Sequence, residues 1–156
     1  MLGMRHCTLL GLAIVTVVCL LAPTSWARPW KGLNPGQSTL TEVQKTFGPA
    51  QQEFKNKGRC ALLYNYQAAR AVAGTKQTNV CFDAKNVVIE IAVFPDRALT
   101  KDLVDEAYGK VYQKKLTDDF REYHLYKNEG LAIFFEKDGV NVQSLLFTAA
   151  GAVDKK

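Results

Sequence analysis

Residues 78–94 read TNVCFDAKNVVIEIAVF, in which two runs of β-branched and aromatic residues lie on either side of the polar segment 83–86. This pattern predicts two antiparallel strands, at 78–82 and 87–94, joined by a tight turn. Four branched residues alternate along the second strand: Val87, Ile89, Ile91 and Val93. Because alternate residues share one side of a strand, we expect a helix to pack on these four.

Residues 36–49, which precede this hairpin, have the pattern of a complete short helix. Thr39 and Glu42 have the spacing of a capping box, in which each side chain bonds the other residue's backbone N–H. Gly48 and Pro49 provide the stop at the C-terminal end. One face carries three apolar residues: Leu40, Val43 and Phe47. The helix is therefore expected to bury a single apolar stripe against the sheet.

A helix followed by strands is predicted twice along the chain. Residues 60–66 predict one more strand before the hairpin. After the hairpin, residues 100–109 have a helical apolar stripe. Three strands are predicted next, at 120–127, 131–136 and 140–148. The sequence therefore predicts an α+β fold of two tandem units, 28–97 and 98–156, each a helix plus a three-stranded antiparallel meander, packed or joined into one compact domain.

The first 27 residues have the pattern of a signal peptide. Arg5 precedes an uncharged apolar run at 8–22, which is shorter than the roughly 20 residues that a membrane-spanning helix needs. Small residues at Ser25 and Ala27 predict cleavage after Ala27, and hence a periplasmic or secreted protein. An uncleaved membrane anchor is the alternative. No lipid anchor is expected, because Cys19 follows two valines and apolar residues continue beyond it.

Cleavage would leave two cysteines, Cys60 and Cys81. Two cysteines in an oxidising compartment predict one disulfide, which on a chain-entropy argument contributes roughly 3 kcal/mol of stability. Two reduced, buried cysteines are the alternative. The mature chain would carry 19 basic residues, because Arg5 is lost from the total of 20, against 15 acidic residues. A net charge of only about 19 − 15 = +4 does not favour nucleic acid as a partner.

Several short motifs together resemble a known family. Residues 33–39 read LNPGQST, Glu42-Val43 and Phe47-Gly48-Pro49 follow, and an aromatic strand then leads to Phe82-Asp83 before a turn. These motifs resemble the SmpA/OmlA (BamE-like) family, and the tandem arrangement is similar in architecture to the β-lactamase inhibitor protein. The resemblance implies a non-enzymatic binding or assembly module of the bacterial envelope. The chain departs from the family in lacking a lipobox cysteine, and no functional residue of the family maps onto it.

The residues suited to catalysis or metal binding form no recognisable site in the sequence. His124 is the only histidine after residue 27 and has no serine or cysteine near it in sequence. Asp118 and Asp119 are adjacent carboxylates, which more often solvate a loop than act as an acid–base pair. Cys60, Cys81 and His124 lack the paired spacing of zinc ligands. We therefore expect no catalytic residue, no metal site and no cofactor.

The aromatic residues are the strongest binding candidates. Four tyrosines fall on predicted strands: Tyr64, Tyr66, Tyr123 and Tyr126. Strand parity places Cys81 on the face that the helices leave free, and a bond to Cys60 would bring Tyr64 and Tyr66 to that face. There they could contact a partner, since tyrosine is enriched at protein interfaces. Burial of these rings in the core, or under the second unit, is the alternative.

These features favour an exported, non-enzymatic protein-binding or envelope-assembly module that acts through a sheet face or loops. The expected partner is a protein, which could be membrane-associated. One alternative is an inhibitor of a secreted hydrolase, with 68–76 as the inserting loop. Another is a small-ligand carrier or enzyme with a closed apolar pocket near Glu90 or His124.

Overall fold

The computed structural model describes residues 27–152, so the predicted signal segment up to residue 26 lies outside the described residues. Two short helices and eight strands follow one another along the chain. They are α1 (Leu40–Phe47), β1 (Gln52–Lys57), β2 (Cys60–Gln67), β3 (Thr75–Phe82), β4 (Val88–Pro95), α2 (Lys101–Tyr108), β5 (Gln113–Leu116), β6 (Glu122–Tyr126), β7 (Leu131–Phe135) and β8 (Val142–Thr148). Within residues 27–152, no helix is long and apolar enough to cross a membrane.

All eight strands belong to a single antiparallel sheet, in the order β1-β2-β3-β4-β8-β7-β6-β5. The central pairing is between β4 and β8, which joins strands 1 to 4 to strands 5 to 8. The predicted α+β fold of two helix-plus-three-stranded units is therefore wrong. The fold is mainly β, with one continuous eight-stranded sheet and two helices of eight residues each.

The sequence pattern missed the two outer strands of the sheet. Their sequences, QEFKNK in β1 and QKKL in β5, are polar and carry no regular alternation of apolar residues. Both are edge strands, each with only one hydrogen-bonded neighbour. Charged residues on an edge strand discourage pairing with another chain, and they also remove the periodic signal from which a strand is recognised.

The predicted helix within 36–49 is confirmed as α1. Thr39 caps it, and the Thr39–Glu42 capping box is complete. Thr100 caps α2 in the same way, by accepting a hydrogen bond from the backbone N–H of Leu103. Val43 on α1 and Val104 on α2 are both fully buried in the core.

A tyrosine hydroxyl from the sheet bonds the C-terminal end of each helix. The Tyr66 hydroxyl donates to the carbonyl oxygen of Gly48 at 3.1 Å. The Tyr126 hydroxyl donates to the carbonyl oxygen of Gly109 at 2.9 Å. Burial raises the pKa of both phenols to about 12. Because both tyrosines point to the same side of the sheet, both helices lie on one face of it.

This helix-covered face holds the hydrophobic core. Two rows of paired side chains cross the sheet on this side. One row is Tyr64, Val80, Ile91, Phe147, Leu131 and Tyr126, and the next is Tyr66, Thr78, Val93, Leu145, Ile133 and His124. All of these residues are buried. The helices therefore close a core that is made mostly of strand side chains.

A β-bulge in β4 changes which residues face the helices. Phe82 pairs with Val88 and Cys81 pairs with Glu90, so Ile89 has no partner of its own. The extra residue shifts the alternation by one position. Val88 is consequently buried against the helices with Ile91 and Val93, whereas Val87 and Ile89 are only partly buried. The predicted placement of Val87 and Ile89 in the buried row is wrong for this reason.

The predicted disulfide between Cys60 and Cys81 is confirmed, with their Cα atoms 5.3 Å apart. The parity argument built on it is wrong. Leu63, not Cys60 or Leu62, pairs with Cys81, and Tyr64 pairs with Val80. Cys60 is the first residue of β2 and lies outside the part of β2 that pairs with β3, which begins at Leu62. The disulfide therefore does not determine which face the later residues of β2 occupy. Tyr64 therefore lies on the helix-covered face.

We predict that the two helix-end hydrogen bonds can be measured by removing one hydroxyl each. Tyr66→Phe and Tyr126→Phe should each lower the free energy of unfolding by about 1 kcal/mol, because a helix-terminal carbonyl loses its partner while the ring stays in place. Denaturant unfolding of the two variants measures this. The control is Tyr123→Phe, whose ring lies on the other face. An equal loss in all three variants would contradict the assignment.

We also predict that the disulfide contributes substantially to stability. Replacing both cysteines, Cys60→Ser with Cys81→Ser, should lower the free energy of unfolding by about 3 kcal/mol, because the unfolded chain regains the freedom of the closed loop. Chemical denaturation of the variant, and of the unaltered protein with and without dithiothreitol, measures the effect. An unchanged midpoint after reduction would refute this contribution.

Candidate binding cleft on the helix-free face

The face of the sheet opposite the helices, here called the helix-free face, carries a different set of side chains. It is mostly uncharged. Its rows include Leu63, Cys81, Glu90 and Thr148, then Asn65, Asn79, Ala92, Leu146, Ala132 and Leu125, then Phe134 and Tyr123. Both described helices lie on the other side, so this face has no helix over it within residues 27–152. Several of its residues are nevertheless buried, among them Cys81, Leu125, Ala132 and Thr148. A binding site therefore has room to form only over the partly exposed ones.

A cleft of about 610 Å³ lies on this face. Its lining residues, which define what is here called the helix-free cleft, are Arg59, Glu90, Leu116, Thr117, Asp118, Tyr123, Phe134, Leu146, Thr148 and Ala152. Arg59 lies in the β1–β2 turn and Asp118 in the β5–β6 turn, at diagonally opposite corners of the sheet. Right-handed twist accumulates across eight strands. The twist brings these two corners toward each other over the same face.

A stacked aromatic pair forms part of the floor of the cleft. The rings of Tyr123 and Phe134 lie with their centroids 5.0 Å apart and their planes 22° apart. These two residues are direct cross-strand partners on β6 and β7, and both are partly exposed. Leu146 lies beside them and is also partly exposed. A partner would find a flat aromatic surface here that needs no rearrangement.

One end of the cleft is charged. The guanidinium of Arg59 forms an ion pair with the carboxylate of Glu90. The Arg59 side chain is 55% exposed, while that of Glu90 is 22% exposed. The carboxylate is thus held at the base of the cleft and the cation reaches its rim. Glu90 does line a cavity, as one hypothesis expected, but the cavity is open to solvent and not a closed apolar pocket.

The opposite corner of the cleft presents an exposed aromatic ring. Phe120, in the β5–β6 turn, is 84% exposed and has a φ of +62°. A side chain with a Cβ atom costs roughly 1–2 kcal/mol in this left-handed region, and an exposed phenyl ring gains nothing from burial. The turn nevertheless holds this conformation. It therefore presents a hydrophobic group to solvent at an energetic cost within the isolated chain, which is typical of recognition sites.

Hydrogen bonds fix the backbone of this turn. The Phe120 N–H donates to the Thr117 carbonyl at 2.9 Å, and the Thr117 N–H donates to the Arg121 carbonyl at 2.9 Å. The Thr117 hydroxyl bonds the Asp119 carboxylate. Arg121 in turn pairs with Asp119 at 2.7 Å and bonds Gln143 on β8. Phe120 is consequently presented by an ordered turn.

Of the four tyrosines predicted to bind a partner, Tyr123 alone lies on the helix-free face. Tyr64 is 3% exposed, and its hydroxyl accepts a hydrogen bond from Gln44 on α1. Tyr66 and Tyr126 are buried under the helix ends. The expected placement of Tyr64 and Tyr66 on the free face is wrong, because the register carries both rings toward the helices.

His124, the other predicted pocket residue, belongs to the core. It is fully buried, and its ring stacks on that of Tyr112 with centroids 3.6 Å apart. The Phe135 ring packs edge-on against it, with centroids 4.7 Å apart. Its Nε2 atom lies 3.0 Å from a carboxylate oxygen of Glu122. Its Nδ1 atom is buried without a hydrogen-bond partner. The ring therefore packs as an aromatic core residue that is held at one nitrogen.

Glu122 is the centre of a small ionic cluster, here called the Glu122 cluster, formed with Lys101, Lys114 and His124. The two ammonium groups lie 2.8 Å and 2.9 Å from its two oxygens. Although burial alone would raise its pKa, hydrogen bonds from the three neighbours lower the pKa of Glu122 to about 2. Burial lowers the pKa of His124, against the opposing effect of Glu122. The cluster therefore ties α2 and β5 to β6.

The loop proposed for insertion into a hydrolase, 68–76, is partly packed against the core. Val72 is 9% exposed and Thr75 is 6% exposed. The Thr75 hydroxyl donates to the Val72 carbonyl at 2.8 Å, which fixes the second half of the loop. Ala68, Ala69 and Arg70 are exposed. Ala73, Gly74 and Lys76 are also exposed, so the loop is anchored at Val72 and Thr75 and otherwise largely presented to solvent.

Most cleft residues carry no distinctive signal in the sequence. Phe134 and Leu146 read as ordinary strand residues, and Arg59 reads as part of a basic turn. The predicted strand at 120–127 includes Phe120, but β6 begins only at Glu122, so Phe120 lies in the preceding turn and is exposed there. The Thr117-Asp118-Asp119 run of turn-forming residues is the one signal that could have placed it there.

Among residues 27–152, no group of three or more His, Cys, Asp or Glu residues is arranged to hold a metal ion.

No protein-family model matches the chain, and no curated protein matches its sequence. The fold is similar to that of a DUF4309 family protein, YjgB, from Bacillus subtilis, with a TM-score of 0.57 and 15% identity over 81% of this chain and 89% of that one. A cysteine-rich secretory protein from Staphylococcus aureus, SAV1118, matches with a TM-score of 0.40 and 10% identity over 80% of this chain and 49% of that one. The first likeness shows a shared fold alone, and the second carries no argument. The SmpA/OmlA resemblance stays a prediction.

We predict that the Glu122 cluster makes stability depend on pH in two ranges. Because the pKa of folded His124 lies below its ordinary 6.5, the unfolded chain binds more protons below pH 6.5. Stability should therefore be greatest above pH 6.5 and fall as the pH drops toward the lowered value. Glu122 contributes stability above about pH 4.5, which is lost as the pH falls toward 2.

Denaturant unfolding at about pH 8 and about pH 5, on either side of the ordinary histidine pKa, would measure the contribution of His124. His124→Gln should lower stability at the higher pH but reduce the difference between the two pH values. Glu122→Gln should act mainly below about pH 4.5. Identical pH profiles for the unaltered protein and His124→Gln would contradict the assignment to His124.

Proposed function

We propose that the protein is an exported, non-enzymatic binding module that holds another protein on the helix-free cleft. The observation that carries this proposal is the stacked Tyr123–Phe134 pair, which lies partly exposed on the open floor of the cleft. Aromatic residues and arginine are enriched where protein interfaces are most deeply buried. Arg59 at the rim and the exposed Phe120 on the adjoining turn add further groups of this kind.

Export is supported by two features of the chain. The Cys60–Cys81 disulfide is of a type that persists in oxidising compartments and is rare in a reducing cytosol. The N-terminal residues also have the composition of a signal peptide. Both features support a periplasmic or extracellular location. The disulfide also stiffens the sheet next to the cleft, because Cys81 pairs with Glu90.

A binding role is favoured over a catalytic one by the placement of the titratable groups. His124 is fully buried beneath Tyr112, on the face away from the cleft. The carboxylate of Glu90, which does line the cleft, is neutralised by Arg59. What the cleft offers to solvent is therefore mostly aromatic and aliphatic surface with a charged rim, which suits recognition.

Site-specific photo-crosslinking tests the proposed binding surface. We expect p-benzoylphenylalanine at position 134 to give covalent protein adducts in cells that produce and export the protein. The control is the same residue at position 111, because Val111 is 93% exposed but lies outside the cleft. Adding Tyr123→Ala should reduce the adduct from position 134 by about tenfold, by removing half of the aromatic stack. Equal labelling from both positions, or none from position 134, would refute the proposal.

A further inference from the structure

The helix-free cleft combines an open aromatic floor with an exposed aromatic ring on the turn beside it. Its floor is the Tyr123–Phe134 pair with Leu146. Phe120, which protrudes into solvent, belongs to the same β5–β6 turn as Thr117 and Asp118, two lining residues of the cleft. An exposed aromatic ring thus lies beside an open aromatic surface. On a single chain the ring and the surface do not meet, because Phe120 remains 84% exposed.

The two corners of the cleft also carry opposite charge. The Arg59 guanidinium, which pairs with the less exposed Glu90 and is itself 55% exposed, is at one corner. The exposed Asp118 is at the diagonally opposite corner, next to Phe120. Two copies of such a surface can face each other across a two-fold axis that lies between the cation and the anion. The cation of each copy then lies opposite the anion of the other. This is the requirement for a two-fold interface, in which the same patch is used by both subunits.

We propose that the partner bound by the helix-free cleft is a second copy of this chain, related by a two-fold axis that lies between the two facing sheets and perpendicular to the line from Arg59 to Asp118. The inference rests on the proposed function, since it names the protein that the cleft holds. In this arrangement Asp118 of each copy meets Arg59 of the other. Phe120 of each copy lies on the Tyr123–Phe134 surface of the other, which removes both exposed rings from water.

The edges of the sheet offer a poorer route to association. Strand β1 carries Lys55 and Lys57, and the four-residue strand β5 carries Lys114 and Lys115. Lysines and short length on edge strands oppose pairing with the edge of another sheet. Two copies that met through β5 would bring like charges together. Face-to-face contact over the cleft avoids this repulsion and sets unlike charges against each other.

A charge-exchange experiment tests the pairing directly. Sedimentation velocity over a range of concentrations should show a monomer–dimer equilibrium for the disulfide-bonded protein. Arg59→Glu and Asp118→Arg should each weaken the dimer by about tenfold or more, because each places like charges opposite one another at both contacts. An equimolar mixture of the two variants should regain dimers, since every contact in the mixed dimer again joins opposite charges.

Phe120→Asn separates association from folding. Asparagine tolerates the left-handed backbone better than phenylalanine, so this variant should be at least as stable as the unaltered protein while losing the dimer. Val111→Asn removes a comparably exposed apolar side chain outside the cleft and should leave the dimer unchanged.

A protein that stays monomeric at every concentration, or a mixture of the two charge variants that stays monomeric, would overturn the homodimer. So would a dimer that survives Phe120→Asn. If the unaltered protein is monomeric but position 134 crosslinks to a different protein, the homodimer fails and the binding function stands. If it is monomeric and position 134 gives no adduct, both fail.

Discussion

Four residue pairs between β4 and β8 determine the organisation of the whole molecule. Ile91 pairs with Phe147 and Val93 with Leu145, and all four side chains point toward the helices. Because successive residues of a strand point to opposite faces, a slip of one position would turn these side chains outward. The register therefore fixes the hydrophobic faces of both halves on the same side. Both helices must then pack on that side, and the opposite face is left free.

The two faces of the sheet consequently have separate roles. On the helix-covered face, tyrosine hydroxyls hold the helix ends, and Glu122 is held by two lysines and a buried histidine. On the helix-free face, the polar groups and aromatic rings are arranged around an open cleft. Changes in the cleft can therefore alter recognition with little effect on the core. This separation lets one small sheet supply both a stable fold and the proposed binding surface.

The sequence predicted the parts of this structure whose signals are local. The cap and the stop of α1 follow from Thr39, Glu42 and Gly48 alone, and the disulfide follows from the count of cysteines. The parts that depend on distant neighbours were missed. Strands β1 and β5 are edge strands and lack a periodic pattern of apolar residues. The bulge at Ile89 changes which residues of β4 face the helices, and nothing in the sequence marks it. The cleft was unpredictable because Arg59 and Asp118, at its two corners, come to line one cleft only through the accumulated twist of eight strands.

The position of β4 in the sheet has a consequence for the order in which the chain folds. Strands β1 to β4 pair through short connections and contain both disulfide cysteines, so this half can form and oxidise while the second half is still being made. Until β8 is available, β4 is an uncovered edge of sequence VIEIAVFP, with Glu90 as its only charge. An apolar edge of this kind is a template for aggregation. The time between completion of β4 and the arrival of β8, the last strand in the chain, is therefore the interval in which the nascent protein most needs protection by a chaperone.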